Sequence, residues 1–252
     1  MCMGGMSWTS DLRLSRPYTF RVNVVIASLP MRGVRKVLAA VAAAVVVLPI
    51  APVMTAPIAS AAPIAATGFP IYMSADGGRT VSKCTLGPLV ARGGMLAFLT
   101  SSHCAIDGKR TPIYMGNTRI GTITRADDDS RTSRDYALVA VKPEYVNTRF
   151  AGKTYQSFML LHTELTPEMQ LCKIGATTAM TCGHVTRVMS DGAIHTSIPA
   201  DHGDSGGPVV VSNGKGVGIV GMISRGSTET VQVTPILWAL KGLGVKLQTF
   251  DD

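Results

Sequence analysis

The 252 residues are 46% hydrophobic, enough for a buried core, and carry a formal net charge of +8. Six of the 24 basic residues and one of the 16 acidic ones precede residue 62, so the excess from there on is only +3. With no basic run interleaved with aromatics, that excess excludes a nucleic-acid footprint. The basic charge belongs to the N-terminus.

Met31-Arg32-Gly33-Val34-Arg35-Lys36 is a positive segment, and Val37–Ile50 follows as 14 residues without a charge. Ala59-Ser60-Ala61 then offers a small-x-small cleavage site, so residues 31–61 read as a signal peptide. A retained membrane anchor is the competing reading. Pro49, Pro52, Pro57 and Pro63 interrupt the run, and Val37–Ile50 falls short of the roughly 20 apolar residues a span needs. Residues 1–30 have no clear periodicity and read as a leader that arises from start-site choice. No twin-arginine pair is present in the positive segment, which favours general secretion. No Pro-rich or charged linker divides residues 62–252, and a single exported domain is expected there.

From residue 68 the chain is punctuated by glycine and short β-rich runs. Leu86–Val90, Met95–Thr100, Thr111–Tyr114, Arg119–Thr124 and Tyr136–Val141 read as strands. So do Met169–Ile174, His184–Met189, Ala193–Ile198, Pro208–Val211, Gly216–Ile223 and Thr230–Val233. Short strands with frequent turns predict an all-β barrel or sandwich. Pro235–Gly242 has a Pro start, apolar residues at helical spacing and a Gly stop, so a short helix ends the domain, with Trp238 and Leu240 as packing groups.

Cys2 falls in the leader, leaving Cys84, Cys104, Cys172 and Cys182. Four cysteines in an exported chain allow three disulfide pairings. The nearest-neighbour set would close two short loops, each stabilising by about 3 kcal/mol on chain-entropy grounds. A zinc site is the alternative, but the gaps match no usual ligand spacing, and no metal is expected.

His202-Gly203-Asp204-Ser205-Gly206-Gly207-Pro208 sets one serine among glycines that let backbone N–H groups converge on a point. A solvated glycine turn is the bland reading, and it loses only if a histidine and a carboxylate stand in support. Thr100-Ser101-Ser102-His103-Cys104 puts His103 after an apolar strand and beside a cysteine that would pin the imidazole. His162, His184, His195 and His202 lie in turns or alternating strands and read as solvated or packed. Asp135 immediately precedes the apolar Tyr136–Val141, where an acid can be drawn under the core to orient an imidazole. Asp127-Asp128-Asp129-Ser130 reads as a solvated loop without the alternating ligands of a calcium site.

These three motifs together resemble the chymotrypsin-type serine proteases of the trypsin-like clan. Thr100–Cys104 resembles that family's Thr-Ala-Ala-His-Cys, Asp135–Val139 its Asp-hydrophobic-Ala-Leu strand, and Gly203–Pro208 its nucleophile motif. The order His, Asp, Ser is also the family's, and it separates the chain from subtilisin-like and α/β-hydrolase enzymes. The bacterial secreted branch, similar to streptogrisins and α-lytic protease, fits best: Lys83–Gly87 resembles its opening segment and Cys172–Gly183 its Cys-x-x-Gly-x-Thr-Thr loop. The resemblance runs from residue 71 to about 234. It implies two perpendicular six-stranded antiparallel β-barrels and disulfides Cys84–Cys104 and Cys172–Cys182. It further implies catalytic His103, Asp135 and Ser205, with an oxyanion hole of the Gly203 and Ser205 N–H groups. Ser224-Arg225-Gly226 would be the edge that pairs with substrate backbone. No cofactor is implied, the partners are polypeptide substrates, and a monomer without stable membrane association after signal cleavage is expected.

Some residues depart from the pattern. Ser101-Ser102 replaces a small apolar pair, and no Arg-Ile-Val-Gly-Gly activation site is present, so Asp204 lacks an evident partner. Pro199 stands where basic-selective relatives carry an aspartate, Asp201 lies nearer the serine, and Ile223 replaces the histidine of glutamate-selective relatives. An apolar or small residue at P1, the position before the scissile bond, is the expectation. The alternative to an endopeptidase is a catalytically silent protein of the same fold that binds a partner.

Overall fold

Short runs rich in β-branched and aliphatic residues, cut by Gly and Pro, fold into two antiparallel sheets in the computed structural model. The structure describes residues 63–74, 81–106, 110–129, 134–148, 157–212, 216–226 and 229–248. These belong to a compact unit spanning Pro57–Asp252, while Cys2 and the leader and signal segment expected over 1–61 lie outside the described residues.

The strands are β1 (Pro70–Met73), β2 (Ser82–Thr85), β3 (Leu89–Arg92), β4 (Met95–Thr100), β5 (Thr111–Met115), β6 (Thr118–Asp129) and β7 (Arg134–Val141). They continue as β8 (Ser157–Met159), β9 (Gln170–Gly175), β10 (Ala179–Val188), β11 (Ile194–Thr196), β12 (Pro208–Ser212), β13 (Val217–Gly226), β14 (Val231–Pro235) and β15 (Lys246–Leu247). A single α-helix, α1 (Ile236–Leu243), lies between β14 and β15 among the described residues. In the first sheet the order is β15-β3-β4-β7-β6-β5-β1-β2, a half-barrel with free edges at β15 and β2. The second runs β12-β9-β10-β11-β14-β13, and pairing of β12 with β13 closes a six-stranded barrel. β8 joins β13 from outside, in parallel. The all-β expectation holds, and of its two barrels the second closes in six strands.

Each sheet has its own apolar centre. Ile71, Phe98, Ile113, Ile123 and Val139 fill the first. Leu171, Val185, Ile194, Val220 and Val233 fill the second. A third cluster joins them: Leu99 and Tyr136 from the first sheet meet Val210 and Met222 from the second, under Ile236, Ala239 and Leu243 of α1. Because α1 covers β13, the strand is buried on successive residues from Val217 to Ser224 and does not alternate. Both cysteine pairs are disulfides, Cys84–Cys104 and Cys172–Cys182.

Three local readings need correction. Leu86–Val90 is not one strand, because Gly87-Pro88 separates β2 from β3 and Pro88 has no N–H for a ladder. Asp127–Asp129 is not a loop but the end of β6, paired in register with Tyr136, Asp135 and Arg134. There Asp127 accepts the Tyr136 hydroxyl at 2.8 Å. Burial and this carboxylate together push the Tyr136 pKa up to about 12. The helix stop is Gly244, left-handed at φ +64°, not Gly242. Gly242 is inside α1, where a Cβ would collide with the Tyr136 hydroxyl.

Candidate active site

His103 is held in a 3-10 turn, Ser102–Cys104, directly after β4. The Cys84–Cys104 disulfide ties that turn to β2. Asp135 is the second residue of β7, which pairs with β4, so the adjacency of the two strands sets acid beside imidazole. His103 Nδ1 lies 2.8 Å from Asp135 Oδ2. A carboxylate only accepts, so Nδ1 carries the proton and Nε2 presents its lone pair.

Asp135 is 1% exposed and its two oxygens are saturated. Oδ1 accepts the Ser102 N–H at 2.7 Å, the Ser102 hydroxyl at 2.6 Å and the His103 N–H at 3.2 Å. Oδ2 accepts the Ser224 hydroxyl at 2.6 Å in addition to His103. Burial alone would raise the pKa of this acid. The bonds and charge from His103, with the Ser102 and Ser224 hydroxyls, outweigh burial and hold it well below the usual carboxylate range. Ser102 and Ser224 were legible only as a departure from a motif and as a substrate edge; their bonds to Asp135 emerge from the fold. Ser101 is likewise committed, its hydroxyl donating to the Ile223 carbonyl at 2.7 Å.

Ser205 lies in the turn before β12, between Gly203 at φ +99° and Gly206 at φ +85°. Only glycine adopts such angles without strain. The turn is clamped from outside: Thr85 N–H donates to the Ser205 carbonyl at 2.8 Å, and the Thr85 hydroxyl to the Gly203 carbonyl at 2.7 Å. Asp204, Gly206 and Gly207 N–H groups donate to Asp201, Ile223 and Asp204 carbonyls. Those of Gly203 and Ser205 have no such partner among the described residues.

Asp204 has the partner that sequence reasoning missed. Its carboxylate is fully buried, 3.2 Å from the equally buried ammonium of Lys173. It also accepts Thr177 N–H at 2.8 Å, Thr178 N–H at 3.1 Å, the Thr178 hydroxyl at 2.6 Å and Asp201 N–H at 3.1 Å. Burial pushes its pKa up, and these bonds more than reverse that. One signal in the chain pointed here: along β9, Leu171, Lys173 and Gly175 share the buried face, so Lys173 is a cation on an apolar stripe.

His103 and Ser205 line one cleft of about 600 Å³. Asp201, Ser224, Arg225 and Gly226 line it too, together with Ala200, His202, Ile223 and Val231. Pro199 does not; it is exposed, and its carbonyl accepts the Thr181 hydroxyl at 2.6 Å. His202, read as a solvated turn histidine, stands at the cleft wall.

No family model matches the chain. Streptogrisin-D of Streptomyces griseus is 28% identical over 179 residues, a match covering 64% of this chain and 44% of that protein, so the chain spans less than half the relative's length. Among solved structures, protease A of Thermobifida fusca superposes with a TM-score of 0.57 at 23% identity, covering 75% of this chain and 100% of that one. A Nocardiopsis protease gives 0.55 at 22%, covering 75% of this chain and 100% of that one, and Cellulomonas bogoriensis chymotrypsin 0.54 at 23%, covering 73% and 98%. The chain has the chymotrypsin-like fold of these bacterial serine proteases.

Proposed function

We propose that this protein is a secreted serine endopeptidase, and the observation that carries the reading is the Asp135–His103 pair opening on the same cleft as Ser205. Ser205 attacks the scissile carbonyl while His103 Nε2 takes the hydroxyl proton. The imidazolium so formed faces Asp135, whose negative charge is maintained by five hydrogen bonds and stabilises it. Negative charge moving onto the carbonyl oxygen is met by the Gly203 and Ser205 N–H groups, which donate to no backbone carbonyl among the described residues, and this supports that role. Collapse of the tetrahedral species gives an acyl-enzyme, with His103 returning the proton to the leaving amine. Water, deprotonated by His103, then releases the acid and restores Ser205.

Apolar Ala200, Ile223 and Val231 in the cleft wall support an apolar or small P1 residue. The two disulfides and the 31–61 signal support export of a domain beginning near residue 62, after a leader over 1–30. The proposed partners of this domain are polypeptide substrates, and the proposed state is a monomer. Among the described residues no helix is long and apolar enough to cross a membrane.

Covalent labelling by a fluorophosphonate tests the reaction. Labelling of the wild type and its loss in Ser205→Ala is the expected result. A folded wild-type protein that stays unlabelled would overturn the enzyme reading in favour of a silent binding protein of the same fold. Mass spectrometry of the secreted protein tests the processing, with an N-terminus near residue 62 expected.

A further inference from the structure

Two neighbouring residues of β13 grip two facing residues of the first sheet. The Ser224 hydroxyl donates to Asp135, and the Arg225 guanidinium donates through Nη2 to Asp128 Oδ1 at 2.9 Å. Asp128 and Asp135 are direct partners in the β6–β7 ladder. An irregularity in the β13–β14 register between Ile223 and Arg225 lets consecutive residues both reach this target. Arg225 is therefore fixed at the cleft wall beside His103 and Ser205, while its side chain keeps 42% exposure.

A guanidinium has five N–H donors in a planar fork, and the Asp128 contact uses one edge of it. The other charged or titratable groups on the cleft wall are Asp201, His202 and His103. Asp201 Oδ1 already accepts the His202 N–H at 2.6 Å. Arg225 is thus the one permanent cation on the wall among the described residues, and the Asp128 carboxylate that neutralises it lies outside the cleft lining. A substrate extended along Ser224–Gly226 points alternate side chains toward this wall.

Resting on the protease reading, we infer that Arg225 makes the cleft select peptides with a carboxylate side chain upstream of the scissile bond, at one of the P2–P4 positions. P1 is governed separately by the apolar Ala200, Ile223 and Val231. Asp128 holds the guanidinium in place and at the same time moderates its attraction for the substrate acid.

The test compares kcat/KM of the full chain on matched peptides that differ only in Glu, Gln or Lys at each of P2, P3 and P4. Wild type is expected to favour Glu over Gln by about two- to fivefold at one position, the range of a partly exposed ion pair, and to disfavour Lys. Arg225→Gln is expected to bring the Glu/Gln ratio to about one whatever its absolute rate, Arg225→Lys to keep part of it, and Asp128→Asn to raise it. All ratios are expected to fall toward one in about 1 M salt. A wild-type ratio near one at all three positions, a Lys preference, or a ratio unchanged in Arg225→Gln overturns the inference while leaving the protease reading intact. A wild type that cleaves no peptide and takes no fluorophosphonate overturns both.

Discussion

Lys173 Nζ sits 3.2 Å from Asp204 Oδ2, and neither side chain has any exposure to solvent. Lys173 also donates to the Thr178 hydroxyl and to the Ala179 carbonyl at 2.9 Å. Asp204 separates Gly203 from Ser205, so an internal lysine on β9 is the cation that anchors the serine turn. The pair is held in an apolar interior only because both partners are otherwise hydrogen-bonded.

Removing one partner of such a pair leaves a buried charge uncompensated. Lys173→Met is expected to destabilise the fold by about 3–5 kcal/mol, which urea denaturation would measure. The lower end applies if the four other bonds to Asp204 survive. Fluorophosphonate labelling should slow as well, since the turn loses its anchor. Labelling and stability both equal to wild type would show that the pair does not set the turn.

Stability should also follow pH with a definite sign. Burial would raise the pKa values of Asp135 and Asp204, but their hydrogen bonds, with the His103 charge at Asp135, hold both below the ordinary aspartate value in the folded state. The unfolded chain therefore binds protons first as pH falls, and the stabilisation from both carboxylates is fully present above about pH 5 and lost progressively below about 4. Urea midpoints should be level near neutrality and drop in that acid window. Asp135→Asn should start lower and show a shallower acid slope. An equal slope in the variant would remove Asp135 from the account.

The residues that could be placed from the chain were those carried by local motifs. His103, Asp135 and Ser205 each sit in a stretch whose neighbours, an apolar strand or a pair of glycines, constrain them locally. Lys173, Thr177 and Thr178 were not placed, because their role depends on β9 pairing with β12, which brings together groups about thirty residues apart. Asp127–Asp129 misled for a related reason. Like charges in a row suggest solvent, but cross-strand partners Tyr136 and Arg134 and the distant Arg225 make a strand end acceptable there. Gly242 looked like a helix stop until Tyr136 supplied another reason for a missing Cβ.

The hydroxyls on Asp135 are expected to act on catalysis through its orientation and charge. Ser102→Ala removes the 2.6 Å bond to Oδ1 but leaves the Ser102 N–H in place, and Ser224→Ala removes the bond to Oδ2. A hydrogen bond to a charged group contributes about 1.5–3 kcal/mol, so each variant should lower kcat by about tenfold or somewhat more. The double variant should fall short of the product of the two, because both act on one group. Wild-type kcat in both single variants would assign the hydroxyls to packing alone.

Gly203 tests the oxyanion assignment without touching a reacting side chain. At φ +99° an alanine is strained, and its Cβ would meet the Lys83 stem and the Thr177 hydroxyl. That hydroxyl donates to the His202 carbonyl at 2.6 Å, so the clash is transmitted to the peptide that carries the Gly203 N–H. Tilting that donor away should slow fluorophosphonate labelling and peptide hydrolysis by about 10²-fold, the loss expected for one oxyanion donor. The strain itself should cost about 1–2 kcal/mol, leaving a folded protein by circular dichroism. A Gly203→Ala variant that folds and labels at the wild-type rate would take Gly203 out of the oxyanion hole and leave the charge on the carbonyl oxygen to be met elsewhere.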